Sequence, residues 1–298
     1  MPGIENEIIS RLMNMPRRFF TFLLVVFYAA FARAVACLYF CRPARTKASR
    51  RFYRAIFPRR RGLYHLWCVF KQFQNFTTIH ADRFRARLGI EPAFLSEGLE
   101  RLQQAMENDQ GAILLMSHLG NWEMAAWLLT RRLAEARLLL YMGEKEKEGI
   151  EKSQKDGLRR AGVSIAALAR EENDPFRAVA GLRFLQEGGV VSLAGDIVWQ
   201  KNQRFLEVDF LAGRARLPEG PFALALASGA PVFVFFAFRT GQNSYHFRLS
   251  EAIMVKAESR AGRGGAMAEA ARRYAALLEE AVRAHPCQWY HFDDFLEG

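Results

Sequence analysis

The chain has 298 residues, of which 51% are hydrophobic and 24% are charged. This length allows a sizeable core, and the hydrophobic share excludes an intrinsically disordered chain. The net charge is +11, and it is concentrated in one part of the chain. Residues 1–61 contain 13 Lys/Arg and 2 Asp/Glu, whereas the rest contains 29 of each sign. Nucleic-acid-binding domains carry their basic patch on the folded body, so the neutral body excludes nucleic acid as the expected partner.

The first predicted element is a hydrophobic helix over residues 19–41, a stretch of 23 residues with one charge, Arg33. Its length fits a bilayer core, and the arginines on both sides attract anionic lipid headgroups. Three alternatives stay open: a spanning helix, a helix lying in the inner leaflet because Arg33 is costly in hydrocarbon, or a buried core helix. The first two place the protein at a cell inner membrane, with the body on the cytoplasmic side because its flank is the more basic.

The rest of the chain alternates between helices and short apolar strands, without a linker or repeat. In chain order we expect helices 64–84 and 95–108, strand 112–116, helix 121–135, strand 138–142, helix 144–161, strand 163–168, helix 175–187, strand 190–195, helix 219–229, strands 230–239 and 245–253, and helix 265–285. This pattern predicts an α/β fold, a mixed, mostly parallel sheet covered by helices, with the N-terminal hydrophobic membrane helix in front. We divide the chain into a basic, hydrophobic membrane-anchoring segment, 1–61, and one folded domain, 62–298.

The cysteines predict neither a metal site nor a disulfide. None of them stands in a CxxC pair or at the Cys/His spacing of a zinc site. This usage is typical of a reducing compartment. The four are Cys37, Cys41, Cys68 and Cys287.

The stretch MSHLGNWEM, residues 116–124, carries the strongest chemical signal. His118 directly follows a buried strand, and Glu123 lies in the first turn of the next helix. A carboxylate on one ring nitrogen fixes the tautomer of an imidazole and favours proton uptake at the other nitrogen. A structural alternative stays open, because a glutamate at a helix start is favoured by the helix dipole, and Ser117 or Asn121 can serve as a cap.

Several motifs in a fixed order resemble one family. SHLGNWE, with a histidine and a carboxylate, is similar to the signature of glycerolipid acyltransferases. The strand VVSLAGD ending in Asp196, the VDFLAGRARL motif with Phe210 and Gly213, the segment GPFALALASGAPVFVFF, and HPCQWYHF near the end extend the resemblance over nearly the whole chain. Together they resemble the late lipid A acyltransferases of the lauroyl and myristoyl type.

The resemblance implies an enzyme that transfers a fatty acyl chain from a thioester to a lipid hydroxyl, without a cofactor. The donor is acyl carrier protein or coenzyme A, and the default acceptor is a lipid A precursor or a related glycolipid. His118 is the implied general base and Glu123 its orienting partner, and residues 62–298 form the catalytic domain. The implied substrate-binding residues are Asn121, Arg159, Arg160, Asp196, Phe210, Gly213, Arg214 and Arg216.

A thioesterase or lipid hydrolase, which would use the same residue pair with water as the acceptor, stays open from the sequence. Two further functions stay open as well. One is a lysophospholipid or specialised-lipid acyltransferase, because Asp293 and Asp294 reverse the local charge found in lipid A acyltransferases. The other is a non-catalytic protein that binds anionic membrane surfaces through its basic N-terminal segment.

Overall fold

The structure is a computed structural model, which describes residues 17–87, 90–108, 110–133, 137–143, 159, 163–168, 175–199, 202–292 and 295–297. The helices in these ranges are α1 (Arg17–Phe40), α2 (Pro43–Ile56), α3 (Gly62–Arg87), α4 (Leu99–Glu107), α5 (Trp122–Arg132), α6 (Pro175–Gln186), α7 (Gly220–Ser228) and α8 (Arg263–Ala284), followed by a 3₁₀ turn at Pro286–Gln288. The strands are β1 (Ala93–Glu97), β2 (Ala112–Met116), β3 (Leu138–Gly143), β4 (Ser164–Leu168), β5 (Val190–Ala194), β6 (Phe205–Phe210), β7 (Gly213–Pro218), β8 (Val232–Gly241), β9 (Ser244–Leu249) and β10 (Leu296–Glu297).

In the described part of the chain the strands form two sheets. The main sheet has seven strands in the order β1-β9-β8-β2-β5-β3-β4, and the small sheet has the order β10-β7-β6. In the main sheet only the β8–β9 hairpin is antiparallel; its other neighbouring strands run parallel. The predicted mixed, mostly parallel α/β sheet is therefore confirmed.

The two faces of the main sheet are covered by different sets of helices. Ile113 and Leu115 of β2 join a core cluster with residues of α2, α3, α7 and α8. Leu114 and Met116 point the other way, as alternation along a strand requires, and join a cluster with α4 and α5. All five residues of β2 are buried, which explains why the sequence AILLM shows no alternation of polar and apolar residues.

The predicted strands and most predicted helices are present, whereas helix α2 and strand β10 were not predicted. Two further differences concern β1 and the β6–β7 hairpin. Residues 95–97 belong to strand β1 instead of a helix, because they pair with β9 and because Gly98, at a φ of 82°, turns the chain before α4 begins. The hairpin of β6 and β7 was not predicted, since its short strands carry charged residues that reach solvent. The predicted helix 144–161 lies outside the described residues, apart from Arg159.

The N-terminal helix is present as α1 and is buried on one side only. Ala32 and Ala36 are buried, and the Tyr39 ring stacks on Phe73 of α3 at 5.7 Å. Phe27 and Phe31 remain exposed. None of the helices in the described ranges is apolar over a stretch long enough to cross a bilayer. The division of the chain at residue 61 stays a prediction.

Candidate active site

The pairing of β2 with β5 places His118 opposite Asp196. These parallel strands are in register, with Met116 beside Ala194 at their carboxyl ends. His118 and Asp196 each follow two residues after those partners, so both side chains emerge at the same edge of the sheet. The carboxyl edge of a parallel sheet is where α/β proteins commonly build their sites.

Two hydrogen bonds join His118 to Asp196. The ring Nδ1 lies 2.9 Å from Oδ1 of Asp196, and the backbone N–H of His118 donates to Oδ2 at 2.7 Å. The Asp196 side chain is fully buried, whereas 27% of the His118 side chain is exposed. The carboxylate thus binds the imidazole at Nδ1, while part of the His118 side chain remains exposed.

Asp196 is held as a carboxylate. Burial by itself would raise its pKa, but the His118 charge and hydrogen bond, the charge of His291 and the Trp289 hydrogen bond together lower this pKa to about 2. The indole Nε1 of Trp289 donates to Oδ2 at 3.0 Å. A permanent negative charge at Asp196 favours the imidazolium that forms when His118 takes up a proton.

The C-terminal segment holds the histidine loop by its backbone. The N–H of Tyr290 donates to the carbonyl of His118 at 2.8 Å, and the N–H of Gly120 donates to the carbonyl of Gln288 at 2.9 Å. Gly120 has a φ of 81°, and a Cβ there would lie 2.0 Å from the carbonyl oxygen of Ala237. Only glycine therefore allows this loop to lie against β8.

A second polar cluster lies beside the same loop and is centred on Asp82 of α3. Its buried carboxylate accepts hydrogen bonds from Arg239 Nε at 2.6 Å, from Arg85 Nη1 at 2.7 Å and from the Tyr245 hydroxyl at 2.7 Å. Asn121 donates to the same hydroxyl through Nδ2 at 3.1 Å. We call these five residues the Asp82 cluster; it ties α3 to β8, β9 and the start of α5.

The carboxylate on His118 Nδ1 is that of Asp196, in the place that the sequence prediction gave to Glu123. In the structure Glu123 forms an ion pair with Arg83 of α3. The physical reason is the direction of the two chain segments: Glu123 lies in α5, whereas Asp196 follows the strand beside that of His118. The structure thus gives the position at Nδ1 to Asp196, and a role of Glu123 in orienting the histidine stays a prediction.

The other predicted site residues are spread over several parts of the structure. Asn121 is buried and caps α5, with Oδ1 accepting from the N–H of Met124 at 3.3 Å. Arg214 and Arg216 pair with Glu207 on the β6–β7 hairpin, at 3.0 and 3.8 Å. Phe210 is buried with its ring 5.7 Å from that of Trp289, and Gly213 is its partner in the hairpin. Arg159 is exposed, and Arg160 lies outside the described residues.

Several residues at the site were not predicted from the sequence. The ring centroids of Trp199 and His291 lie 6.5 and 6.2 Å from that of His118. Trp289 and His291 were visible only as part of the family motif HPCQWYHF, and nothing in the spacing indicated that Trp289 reaches Asp196. One signal in the sequence could have identified the pair. His118 and Asp196 each stand two residues after a buried apolar strand, AILLM and VVSLA, and adjacent parallel strands bring such positions together.

This arrangement can remove a proton from a hydroxyl group. A partly exposed histidine with a buried carboxylate on Nδ1 supplies two of the three groups of the Ser-His-Asp system of hydrolases. A hydroxyl from a substrate can take the place of the serine. The fold and the site thus define an α/β protein with a histidine–carboxylate pair suited to general-base chemistry.

Comparison with known proteins identifies the family. The pattern of the bacterial lipid A biosynthesis acyltransferases matches residues 9–295. A phosphatidylinositol mannoside acyltransferase of Mycobacterium tuberculosis is 28% identical over 195 residues, which cover 65% of this chain and 57% of that protein. The protein of the same name from Mycolicibacterium smegmatis is 27% identical over 146 residues, covering 45% of this chain and 42% of that protein.

The chain belongs to the bacterial lipid A biosynthesis acyltransferase family, and the predicted resemblance is confirmed. It spans about half the length of the curated relatives that it matches.

Proposed function

We propose that the protein transfers a fatty acyl chain from a thioester to a hydroxyl of a lipid, with His118 as the general base. The observation that carries the proposal is the pairing of Nδ1 of the partly exposed His118 with the buried Asp196. Family membership supports the reaction class, and the geometry supports the role of the two residues.

The proposed step uses His118 twice. The acceptor hydroxyl gives its proton to Nε2 of His118 while its oxygen forms a bond to the thioester carbonyl carbon. The resulting tetrahedral intermediate breaks its C–S bond, and the leaving thiolate takes the proton from the imidazolium. The products are an ester and a thiol, with Asp196 ionised throughout because its pKa is about 2.

The donor and the acceptor are proposed as classes. The donor is an acyl carrier protein or an acyl-coenzyme A, and both present the same thioester. The acceptor is a glycolipid, either a lipid A precursor or a mannosylated phosphoinositide like the one in the relatives' names. A lysophospholipid acceptor is the alternative, for which the same histidine chemistry is suitable.

The test is transfer of a labelled acyl chain to each acceptor class by the full chain in lipid vesicles. We expect transfer to one glycolipid class, and a loss of at least about 10³-fold in kcat for His118→Ala, which lies within the range that general-base catalysis contributes. His246→Ala, which removes a half-buried histidine of β9, is the matched control and should retain activity. Transfer at the wild-type rate by His118→Ala would overturn the mechanism, and that result with intact membrane binding would favour a non-catalytic binding protein.

We also propose that the protein works on an anionic membrane surface, at the cytoplasmic face of the inner membrane. Phe27, Phe31 and Leu38 of α1 are exposed apolar residues, 61%, 49% and 70% accessible. Beyond the end of α1, Arg42 and Arg45 lie with their guanidinium groups 5.6 and 5.4 Å from the Tyr39 ring centroid. Basic side chains beside exposed apolar residues suit the boundary between headgroups and acyl chains.

Vesicle binding tests this surface separately from catalysis. The double variant Arg42→Glu/Arg45→Glu should bind vesicles of mixed neutral and anionic lipid at least about tenfold more weakly, since each basic residue near such a surface contributes about 1 kcal/mol. Arg260→Glu/Arg263→Glu makes the same charge change at exposed positions near the start of α8 and is the control. Equal binding by the two double variants would contradict the proposed surface.

A further inference from the structure

The start of α3 carries exposed apolar and aromatic side chains on its outer side. Leu63 is 81% exposed and Trp67 is 51% exposed. Leu63 and Tyr64 stand four and three residues before Trp67, and Lys71 stands four residues after it, so their side chains lie on one face of the helix. We call these four residues the α3 patch. Exposed apolar patches on folded proteins mark contacts with another protein or with a membrane.

The rings of the α3 patch are ordered by their neighbours. The Tyr64 and Trp67 rings stack with centroids 5.7 Å apart, and the Phe57 ring stands edge-on to Tyr64 at 5.4 Å. Two cations lie against these rings: the Arg60 guanidinium is 5.3 Å from the Tyr64 centroid, and Lys71 Nζ is 5.9 Å from the Trp67 centroid. Since these side chains already have defined positions, a partner loses little free energy in ordering them.

The positive charge next to the α3 patch is not balanced within the described part of the chain. Arg59, Arg60 and Arg61 are exposed and precede α3 directly, and none of them forms an ion pair with a carboxylate in the described ranges. Exposed arginines of the body are commonly paired, as Arg137 is with Glu187 at 2.7 Å. An external anionic surface would therefore supply the charges that the chain itself does not offer to residues 59–61.

Helix α3 joins this patch to the histidine loop. Gln72, which stands five residues after Trp67, donates through Nε2 to the carbonyl of Trp289. The next residue, Tyr290, donates its backbone N–H to the carbonyl of His118 at 2.8 Å. At 1.5 Å per residue, the patch and this connection are only about 7.5 Å apart along α3. A surface bound by the patch would thus fix the site at a short distance from that surface.

We propose that the α3 patch is a second membrane contact, in which Leu63 and Trp67 enter the headgroup boundary of an anionic bilayer and residues 59–61 face its phosphates. The contact is separate from the one proposed for α1, and it rests on the proposed action at a membrane surface. Tryptophan and tyrosine suit this boundary because each has an apolar body and a polar end, and a lysine beside them can bury its stem while its charge stays in water. Two contacts hold the domain in one orientation on the bilayer.

Vesicle binding by the full chain tests the apolar part of the contact. Leu63→Ser/Trp67→Ser should bind vesicles of phosphatidylcholine and phosphatidylglycerol at least about tenfold more weakly, because two exposed apolar side chains no longer enter the boundary. The control is Leu95→Ser/Val179→Ser, which changes side chains that are 66% and 59% exposed on other elements and should alter binding less than about threefold. Thermal unfolding is measured on every variant.

Charge reversal tests the basic part. Arg59→Glu/Arg61→Glu should bind the same vesicles at least about tenfold more weakly, and vesicles of phosphatidylcholine alone less than about threefold more weakly. Equal losses on both kinds of vesicle would contradict the role of the phosphates.

A direct probe uses vesicles whose acyl chains carry bromine, which quenches nearby tryptophan. Trp67→Phe should show less quenching than the wild type, because Trp67 is the side chain that approaches the acyl chains. Equal quenching, or wild-type binding by Leu63→Ser/Trp67→Ser, would overturn the α3 contact while leaving the α1 surface and the acyl transfer intact. A dimer that forms without lipid and is lost in Trp67→Ser, measured by sedimentation, would assign the patch to a second copy of the chain instead. Absence of vesicle binding by the wild type would overturn both membrane contacts.

Discussion

Two polar networks meet at the loop between β2 and α5, and they end in different ways. In the Asp82 cluster, a buried carboxylate is surrounded by two arginines and a tyrosine hydroxyl, and its Oδ atoms accept bonds from all three. In the other network, the buried Asp196 binds Trp289 and the partly exposed imidazole of His118.

The difference between the Asp82 cluster and the Asp196 network shows how a structural ion pair can be distinguished from a reacting group. The buried charge of Asp82 accepts hydrogen bonds from both arginines and the tyrosine hydroxyl, and so joins α3 to β8 and β9. The charge of Asp196 instead stabilises the protonated form of His118, a side chain that can bind a proton and is partly exposed. The same residue type thus supports folding in one network and, by our proposal, chemistry in the other.

The largest expected effect is on catalysis, from Asp196→Asn. The substitution keeps the size of the side chain but removes the charge that stabilises the imidazolium and fixes its tautomer. We expect kcat for acyl transfer to fall by about 10³-fold, within the range for general-base systems. A fall in kcat of less than tenfold, in an Asp196→Asn variant that binds vesicles normally, would contradict a catalytic role for the Asp196 network.

The corresponding change in the other network is Asp82→Ala. It leaves Arg239 and Arg85 without their carboxylate in a buried place, which costs about 3–5 kcal/mol of unfolding free energy. Denaturant unfolding measures this loss, and kcat of the folded fraction should stay within tenfold of wild type. Full stability of Asp82→Ala would contradict a structural role for the cluster.

The third prediction concerns the pH dependence of the free energy of unfolding. The pKa of Asp196 in the folded protein is about 2, below the ordinary value of 3.8. A depressed pKa contributes stability that is present above the ordinary value and is lost as the pH falls through about 2. The difference corresponds to about 2 kcal/mol. The stability advantage of wild type over Asp196→Asn should therefore narrow by about 1–2 kcal/mol between pH 5 and pH 2 in denaturant unfolding. A constant advantage would mean that Asp196 is not held ionised by its neighbours.

The smallest expected effect comes from Glu123→Gln. Because Glu123 pairs with Arg83 and Asp196 occupies Nδ1 of His118, we expect only about a tenfold loss of kcat, through a small displacement of the loop. Measuring kcat of Glu123→Gln and Asp196→Asn under the same steady-state conditions ranks the two losses. A loss equal to that of Asp196→Asn would restore Glu123 as a partner of the histidine.

The sequence predicted most strands of the main sheet and placed His118 directly after one of them. Continuous apolar runs such as AILLM and VVSLA predicted buried parallel strands, and the residue after a strand is a natural site position. The sequence did not identify the carboxylate that binds the histidine, because the order of strands in a sheet cannot be read from a single sequence. Glu123 is five residues from His118 and Asp196 is 78 residues away, yet the pairing of β2 with β5 makes the distant residue the hydrogen-bond partner.

The contribution of the C-terminal segment was hidden for a similar reason. Trp289 and His291 follow a turn at the end of α8, and only tertiary packing carries that segment back to the loop that contains His118. The charged hairpin of β6 and β7 escaped prediction because its strands are short and partly solvated. Arg214 and Arg216, which the resemblance implied as substrate-binding residues, form ion pairs with Glu207 in this hairpin.

The central claim is that His118 and Asp196 act as one unit in acyl transfer, and a double-mutant cycle tests it most directly. The measurement is kcat for transfer from a labelled thioester by the wild type, His118→Ala, Asp196→Asn and the double variant. Groups that act together are strongly non-additive, so the double variant should be no slower than His118→Ala by more than about threefold. Losses that multiply in the double variant, or a His118→Ala protein with wild-type kcat, would contradict the account.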